Sequence, residues 1–390
     1  MNMRHERTTR PRGFWSRTRV RPLLGGRMGR VVRALRQKRP QEAMRSVPAF
    51  TRFVSVLMVA VFFVTGDPLH GATISWIQGA TDFNAAASWL GGVVPTVSDT
   101  ADFGATLTSA QSVSLSANSS VLGITMASPN AVTLNAASAK TLTLGSGGIQ
   151  KTAGTGALSI GTNVTLSLTA GTTVMNADTT SAVTVNGAIT GTGSLTKSGA
   201  GDLTLMGANT FSGGTTVSAG SLRVGNNSAL GMGALTVSGG AVSSDSMAAR
   251  TLTNGYSLGG AVTLGDVANS GALTLSGAGT LTASTTLTVP STVNWTGVVS
   301  GSGNLTKAGT GELTLGGLNT HSGTVAVTAG TLTLNSGSAV SDTGAVTVTS
   351  PGILKLGASE AVGSLAGTGS VNLQSNALTV GGSSTTVYSG

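Results

Sequence analysis

From Thr73 onward, apolar and small polar residues alternate in runs of three to five. Examples are Val113–Leu115, Thr141–Leu144, Val164–Leu168, Val183–Val185, Leu203–Leu205, Leu273–Leu275, Leu313–Leu315, Val346–Val348 and Leu378–Val380. In each run Leu, Val or Ile alternates with Thr or Ser, and a side-chain period of two means a short strand with one face turned inward. Gly and Asn punctuate the runs, and both residues suit turns. No amphipathic run of helical length follows Ala72. The pattern predicts an all-β chain with strand signals about every 8–12 residues.

Strands at that spacing build sandwiches, barrels or solenoids. Internal repetition selects the solenoid. Gly191–Val224 reads GTGSLTKSGAGDLTLMGANTFSGGTTVSAGSLRV, and Gly301–Leu334 reads GSGNLTKAGTGELTLGGLNTHSGTVAVTAGTLTL. At a constant offset of 110 they agree at 19 of 34 positions without a gap. Fainter echoes occur at Gly148–Ile160 and Gly271–Val289. Stacked turns would line their inward Leu, Val and Ile into one core that needs no aromatics, with Thr and Ser facing water.

The unit G-x-G-x-L-T-K-x-G-x-G-x-L-T-L-x-G-x-N-T-x-S-G resembles the autotransporter-associated β-strand repeat, also called the passenger-associated transport repeat. The positions that carry the resemblance are Gly191, Gly193, Leu195, Lys197, Leu203, Leu205, Asn209 and Phe211 in the first copy. In the second they are Gly301, Gly303, Leu305, Lys307, Leu313, Leu315 and Asn319. The second copy departs at His321, where the aromatic is lost, and at Thr324–Ala326. These changes should weaken local packing but leave the coil. Trp76–Gly104 also looks like the leading segment of such passengers, and Glu360–Gly390 like a segment that precedes further repeats. The resemblance implies a right-handed parallel β-helix in a bacterial surface passenger. At about 20–25 residues per turn, the residues from Thr73 make roughly 13–16 turns, a rod of about 60–75 Å. The repeated lysines Lys197 and Lys307 read as structural, with the stem along the coil and the ammonium in water.

Charge divides the chain. Met1–Arg52 holds 15 Lys and Arg against Glu6 and Glu42, whereas Phe53–Gly390 holds 7 basic against 11 acidic residues. The +9 of the whole chain therefore belongs to an N-terminal tail. Twelve uncharged, mostly apolar residues, Phe53–Val64, follow it; they are too short to span a membrane but suit a signal-peptide core. Met44 would start a leader of ordinary length. The expected organisation is a basic leader at 1–43 that is disordered or a mis-assigned start, and a signal peptide with its helix at 44–72. An N-terminal cap at 73–110 and a β-helix at 111–390, truncated at its C-terminus, complete it.

Little chemistry is on offer. The chain has no Cys, which removes disulfides, thiolate zinc sites and cysteine nucleophiles. His321 is the sole histidine after His70, so multi-His metal sites and Ser-His-Asp triads are unavailable. The acidic residues are scattered singly, and Asp202 and Glu312 share one repeat position. Asp99-x-x-Asp102 suits a turn better than a calcium site. The G-x-G pairs lack the continuation of a nucleotide loop. Basic residues interleaved with aromatics, as single-stranded nucleic acid requires, are missing after Thr73.

These features predict a non-enzymatic, cofactor-free, exported β-helical passenger, secreted or held at the cell surface or outer membrane of a Gram-negative-type bacterium. Its repeats would assist secretion and form a rod. Its partners would be the outer-membrane secretion machinery or a translocator barrel, with no nucleic acid. A second reading is an adhesin that binds surface glycans or other cells through the Thr- and Ser-rich faces. A third is a polysaccharide lyase, which would need Asp, Lys and Arg clustered on one face.

Overall fold

A computed structural model describes residues 71–152, 156–176, 182–382 and 386–390. The leader at 1–43 and the signal peptide up to residue 70 lie outside the described residues. The described residues fall within one compact unit, Pro68–Gly390.

That unit is a parallel β-solenoid of about 13 turns. Three ladders of strands run through it. Ladder I starts with Thr73–Ser75 on Thr100–Phe103. It continues through Ser194–Ser198, Thr215–Val217 and Leu235–Val237 to Val299–Gly301. Ladder II carries Val183–Val185, Asp202–Leu205, Ser221–Val224 and Ala241–Ser244, and later Leu305–Ala308, Val325–Val327 and Ala345–Val348. Ladder III holds Val164–Leu168 and Ile189–Gly191 early, then Arg250–Leu252, Leu273–Leu275, Val293–Trp295, Glu312–Leu315 and Thr331–Leu334.

Alternation decides which residues enter the core. In Val164–Leu168 the Val and both Leu are buried and the Thr and Ser between them are partly exposed. Thr196, Thr216 and Thr236 align in register on the outer side of ladder I. Each inward Leu or Val contributes about 1.5–3 kcal/mol by burial. Ordering each residue costs about 1–2 kcal/mol, so a three-residue strand is stable only when stacked on its neighbours.

Two features differ from the sequence pattern. Strands are not uniformly short: Lys140–Lys151 has 12 residues and Gly279–Thr288 has 10. These long strands pair in two ladders. The core also holds aromatics. Trp76, Phe83 and Trp89 of the first turn pack with Phe103 of the second, with ring centroids of contacting pairs 5.0–6.0 Å apart, and the Trp89 Nε1 donates to the Phe83 carbonyl oxygen at 2.7 Å. Tyr256 and Trp295 meet further along at 5.8 Å. A large ring needs room, and Gly279 provides it: a Cβ there would run into the Tyr256 ring.

Candidate functional site

The two repeat copies build the same interior device twice. Along Ser194–Ser198 the alternation turns Leu195 and Lys197 inward and leaves Thr196 partly exposed. Lys197 is fully buried. Its Nζ donates to the carbonyl oxygens of Ser198 at 2.8 Å, Gly199 at 2.6 Å and Ala219 at 3.1 Å. Lys307 is buried likewise, and its Nζ donates to Ala308 at 3.2 Å, Gly309 at 2.8 Å and Ala329 at 2.9 Å. The expectation of a wet ammonium is therefore corrected: each charge sits in a cage of backbone carbonyls. The three N–H donors meet three acceptors, which offsets the cost of burial. Burial still pulls both amines down to about 8, and Asp202 partly counteracts the effect at Lys197.

Glycine makes the cage possible. Gly220 and Gly330 have φ of 65° and 62°, a region that other residues enter at a cost. A Cβ on Gly220 would lie 2.6 Å from the Lys197 Nζ, and one on Gly330 would lie 2.8 Å from the Lys307 Nζ. Gly191, Gly193, Gly301 and Gly303 pack against carbonyl oxygens of the preceding turn, where a Cβ would clash.

The asparagines close a gap. At Asn209–Phe211 ladder III has no strand, and the side chain of Asn209 bridges it. Its Oδ1 accepts from the Ile189 N–H at 2.7 Å and its Nδ2 donates to the Ala229 carbonyl oxygen at 2.6 Å. Asn319 does the same with the Val299 N–H and Ala339 carbonyl oxygen, both at 2.8 Å. Each asparagine thus ties the turn before to the turn after. Beyond Asn319, the Glu360 Oε2 accepts from the Ala339 N–H at 2.9 Å, while its Oε1 is buried without a partner. Burial pushes the Glu360 carboxyl up.

Leu203, Leu205, Leu305, Leu313 and Leu315 are core residues, as is Phe211. His321 occupies the place of Phe211 and is equally buried, with neither ring nitrogen bonded. Burial pulls its pKa down, because desolvation disfavours the charged ring. The coil persists around it, with the Ser322 N–H on the Gly301 carbonyl oxygen at 2.9 Å.

The copies do not lie on the same faces. Lys197 stands on ladder I, paired with Val217. Lys307 stands on ladder II, paired with Leu287 and Val327. The asparagine gap moves with it, from ladder III to ladder I. Five turns along ladder I lead from Lys197 through Val217, Val237, Leu258 and Leu281 to Gly301, and Lys307 lies six residues further, on the next strand. The second copy is advanced by one ladder.

Carboxylates gather in one place. The Arg223 guanidinium bridges Asp202 and Asp266, each at 3.1 Å, and Arg250 holds Asp245 at 2.8 Å. The scattered sequence positions thus converge, but on arginines. Burial raises the Asp245 pKa, and the Arg250 hydrogen bond and charge outweigh it, leaving it lowered. Asp99 accepts from the Thr96 N–H and Oγ1 and the Ala72 N–H, and Asp102 from Ser75 and Thr125 hydroxyls; both work as turn and inter-turn acceptors. Among the described residues no group of three or more His, Cys, Asp or Glu is placed to hold a metal ion.

The family model of the Passenger-associated-transport-repeat matches residues 195–224 and 305–334. The chain carries two passenger-associated transport repeats. Each match opens on the inward leucine two residues before the caged lysine, and each contains the bridging asparagine. No curated protein and no solved structure matches the chain. The repeats are β-helical units of the autotransporter-passenger type. The lysine cage escaped the sequence reading, although the alternation Leu195-Thr196-Lys197 already placed Lys197 on the inward side.

Proposed function

We propose that the chain is an exported, non-catalytic β-helical passenger whose repeats lock adjacent turns together, which assists secretion and yields a rod at the cell surface. One observation carries this reading. The shared residues Lys197/Lys307 and Asn209/Asn319 are interior and tie turn to turn, while shared outward residues such as Thr196 and Thr306 stand on different ladders. A repeat serving as a binding surface gains from alignment on one face; a repeat serving as a lock does not need it. The pairing of Asp202, Asp245 and Asp266 with arginines supports a structural role for the acidic residues. The passenger-associated transport repeat supports export with an outer-membrane translocator as partner.

Surface display tests the reading. In a Gram-negative host expressing the full chain, Lys197→Met with Lys307→Met should lower the externally protease-accessible passenger several-fold. Thr196→Ala with Thr306→Ala should leave it unchanged. The reverse pattern would contradict the proposal. The aligned hydroxyls of Thr196, Thr216 and Thr236 favour a second reading, glycan binding; loss of cell or glycan-array binding on their joint replacement by alanine would establish it.

A further inference from the structure

We propose that each repeat builds a binding site for a protonated primary amine out of the backbone carbonyls of two successive turns, with Lys197 and Lys307 as tethered occupants. The inference deepens the reading of the repeats as interior locks and rests on it. The site is formed by backbone. At Lys197 the acceptors are the carbonyl oxygens of Ser198 and Gly199 from its own turn and Ala219 from the next. The Gly201 carbonyl oxygen also faces the cage, 2.5 Å from where a Cβ of Gly220 would stand. Left-handed Gly199 and Gly220, with φ of 74° and 65°, turn this chain segment around the ammonium. Gly309 and Gly330 repeat the geometry at 78° and 62°.

Two independent copies on different ladders hold the same three-acceptor arrangement. Neither lysine is in an ion pair among those of the described residues; the Asp202 charge acts on Lys197 without contact, and the hydrogen-bond partners of both ammonium groups are backbone carbonyl oxygens. Three acceptors at 2.6–3.2 Å match the three N–H donors of an ammonium group. A quaternary ammonium carries the same charge and no donor, so the site distinguishes the two by hydrogen bonding. Removing the side chain beyond Cβ leaves the carbonyls in place and vacates the channel of the stem, which a short alkylammonium ion fits.

The test uses the full chain with Lys197→Ala and Lys307→Ala, refolded at equal ionic strength in sodium, tetramethylammonium or propylammonium chloride. Propylammonium should raise the unfolding midpoint of the variant by about 3 °C or more over the other two salts, saturably, and leave the wild type unmoved. Equal responses to propylammonium and tetramethylammonium, or an equal response from the wild type, would overturn the proposal. If the double variant does not fold in sodium chloride, recovery of a protease-resistant chain in propylammonium alone supports the site, and failure in both overturns it. Adding Gly220→Ala to Lys197→Ala should remove the response at that copy. Intact amine rescue with unaltered surface display of the lysine variants would refute the secretion reading while leaving the site standing.

Discussion

The Nζ of Lys197 lies 3.1 Å from the carbonyl oxygen of Ala219, 22 residues later and one turn further along the solenoid. The bond spans an interface between turns, so the cage is complete only when both are stacked. Lys307 and Ala329 repeat the relationship at 2.9 Å. A lysine of this kind converts the generic stacking of Leu and Val into a specific register, because a slip by one residue would turn the ammonium outward and a threonine inward.

Truncating the lysine exposes the cost of the cage. Lys197→Ala leaves three buried carbonyl oxygens short of a donor and opens a cavity where the stem lay. Losses of about 2–4 kcal/mol are expected for such changes. Turns couple mainly to their neighbours, so faster hydrogen exchange should centre on Leu195 and Thr215, the ladder partners at this level. Exchange at Val346, on ladder II, should stay as in the wild type.

Asn209 invites a narrower test. Its replacement by alanine orphans the Ile189 N–H and the Ala229 carbonyl oxygen together, for about 2–4 kcal/mol. Asn209→Asp keeps the acceptor for Ile189 but sets a carboxylate against the Ala229 carbonyl oxygen. The aspartate variant should therefore retain protection of the Ile189 amide only at acid pH, measured by exchange across the titration.

Stability should depend on pH in two windows. Folded His321 has a pKa below its ordinary 6.5, so the unfolded chain binds more protons and stability falls as pH drops below 6.5. Glu360, raised from 4.5 by burial, opposes this, because its share of stability is lost as pH rises through its raised pKa. His321→Phe should remove the acid loss attributable to the ring and stabilise the second copy by about 1–2 kcal/mol, since two unbonded ring nitrogens leave the core. On the alkaline side Lys197 and Lys307 titrate near 8 when folded and 10.5 when unfolded, so stability should rise between those values. Denaturant midpoints across pH, for wild type and His321→Phe, check both windows.

Much of this fold was legible in the alternation. Val164–Leu168, Val183–Val185, Leu273–Leu275 and Leu378–Val380 are strands with the bounds the pattern marks. Longer strands such as Lys140–Lys151 were not, because small residues such as Gly145 and Gly147 break the alternation while the backbone continues through a bend. Lys197 was misplaced because a charge in a run of Thr and Gly is ordinarily solvated, although the period of two set it beside Leu195 on the inner side. The advance of the second copy by one ladder escaped because it depends on turn length, which the offset of 110 constrains only once the length per turn is known. The convergence of Asp202 and Asp266 on Arg223 follows from stacking and has no local sequence signal.

Amine footprinting of the folded full chain tests the central claim most directly. Treatment with an acetylating reagent followed by mass spectrometry should modify Lys140 and Lys355, which are partly exposed, while Lys197 and Lys307 stay unmodified until denaturant opens the turns. Modification of Lys197 and Lys307 at the rate of Lys140 in the folded chain would contradict the account of the repeats as interior locks.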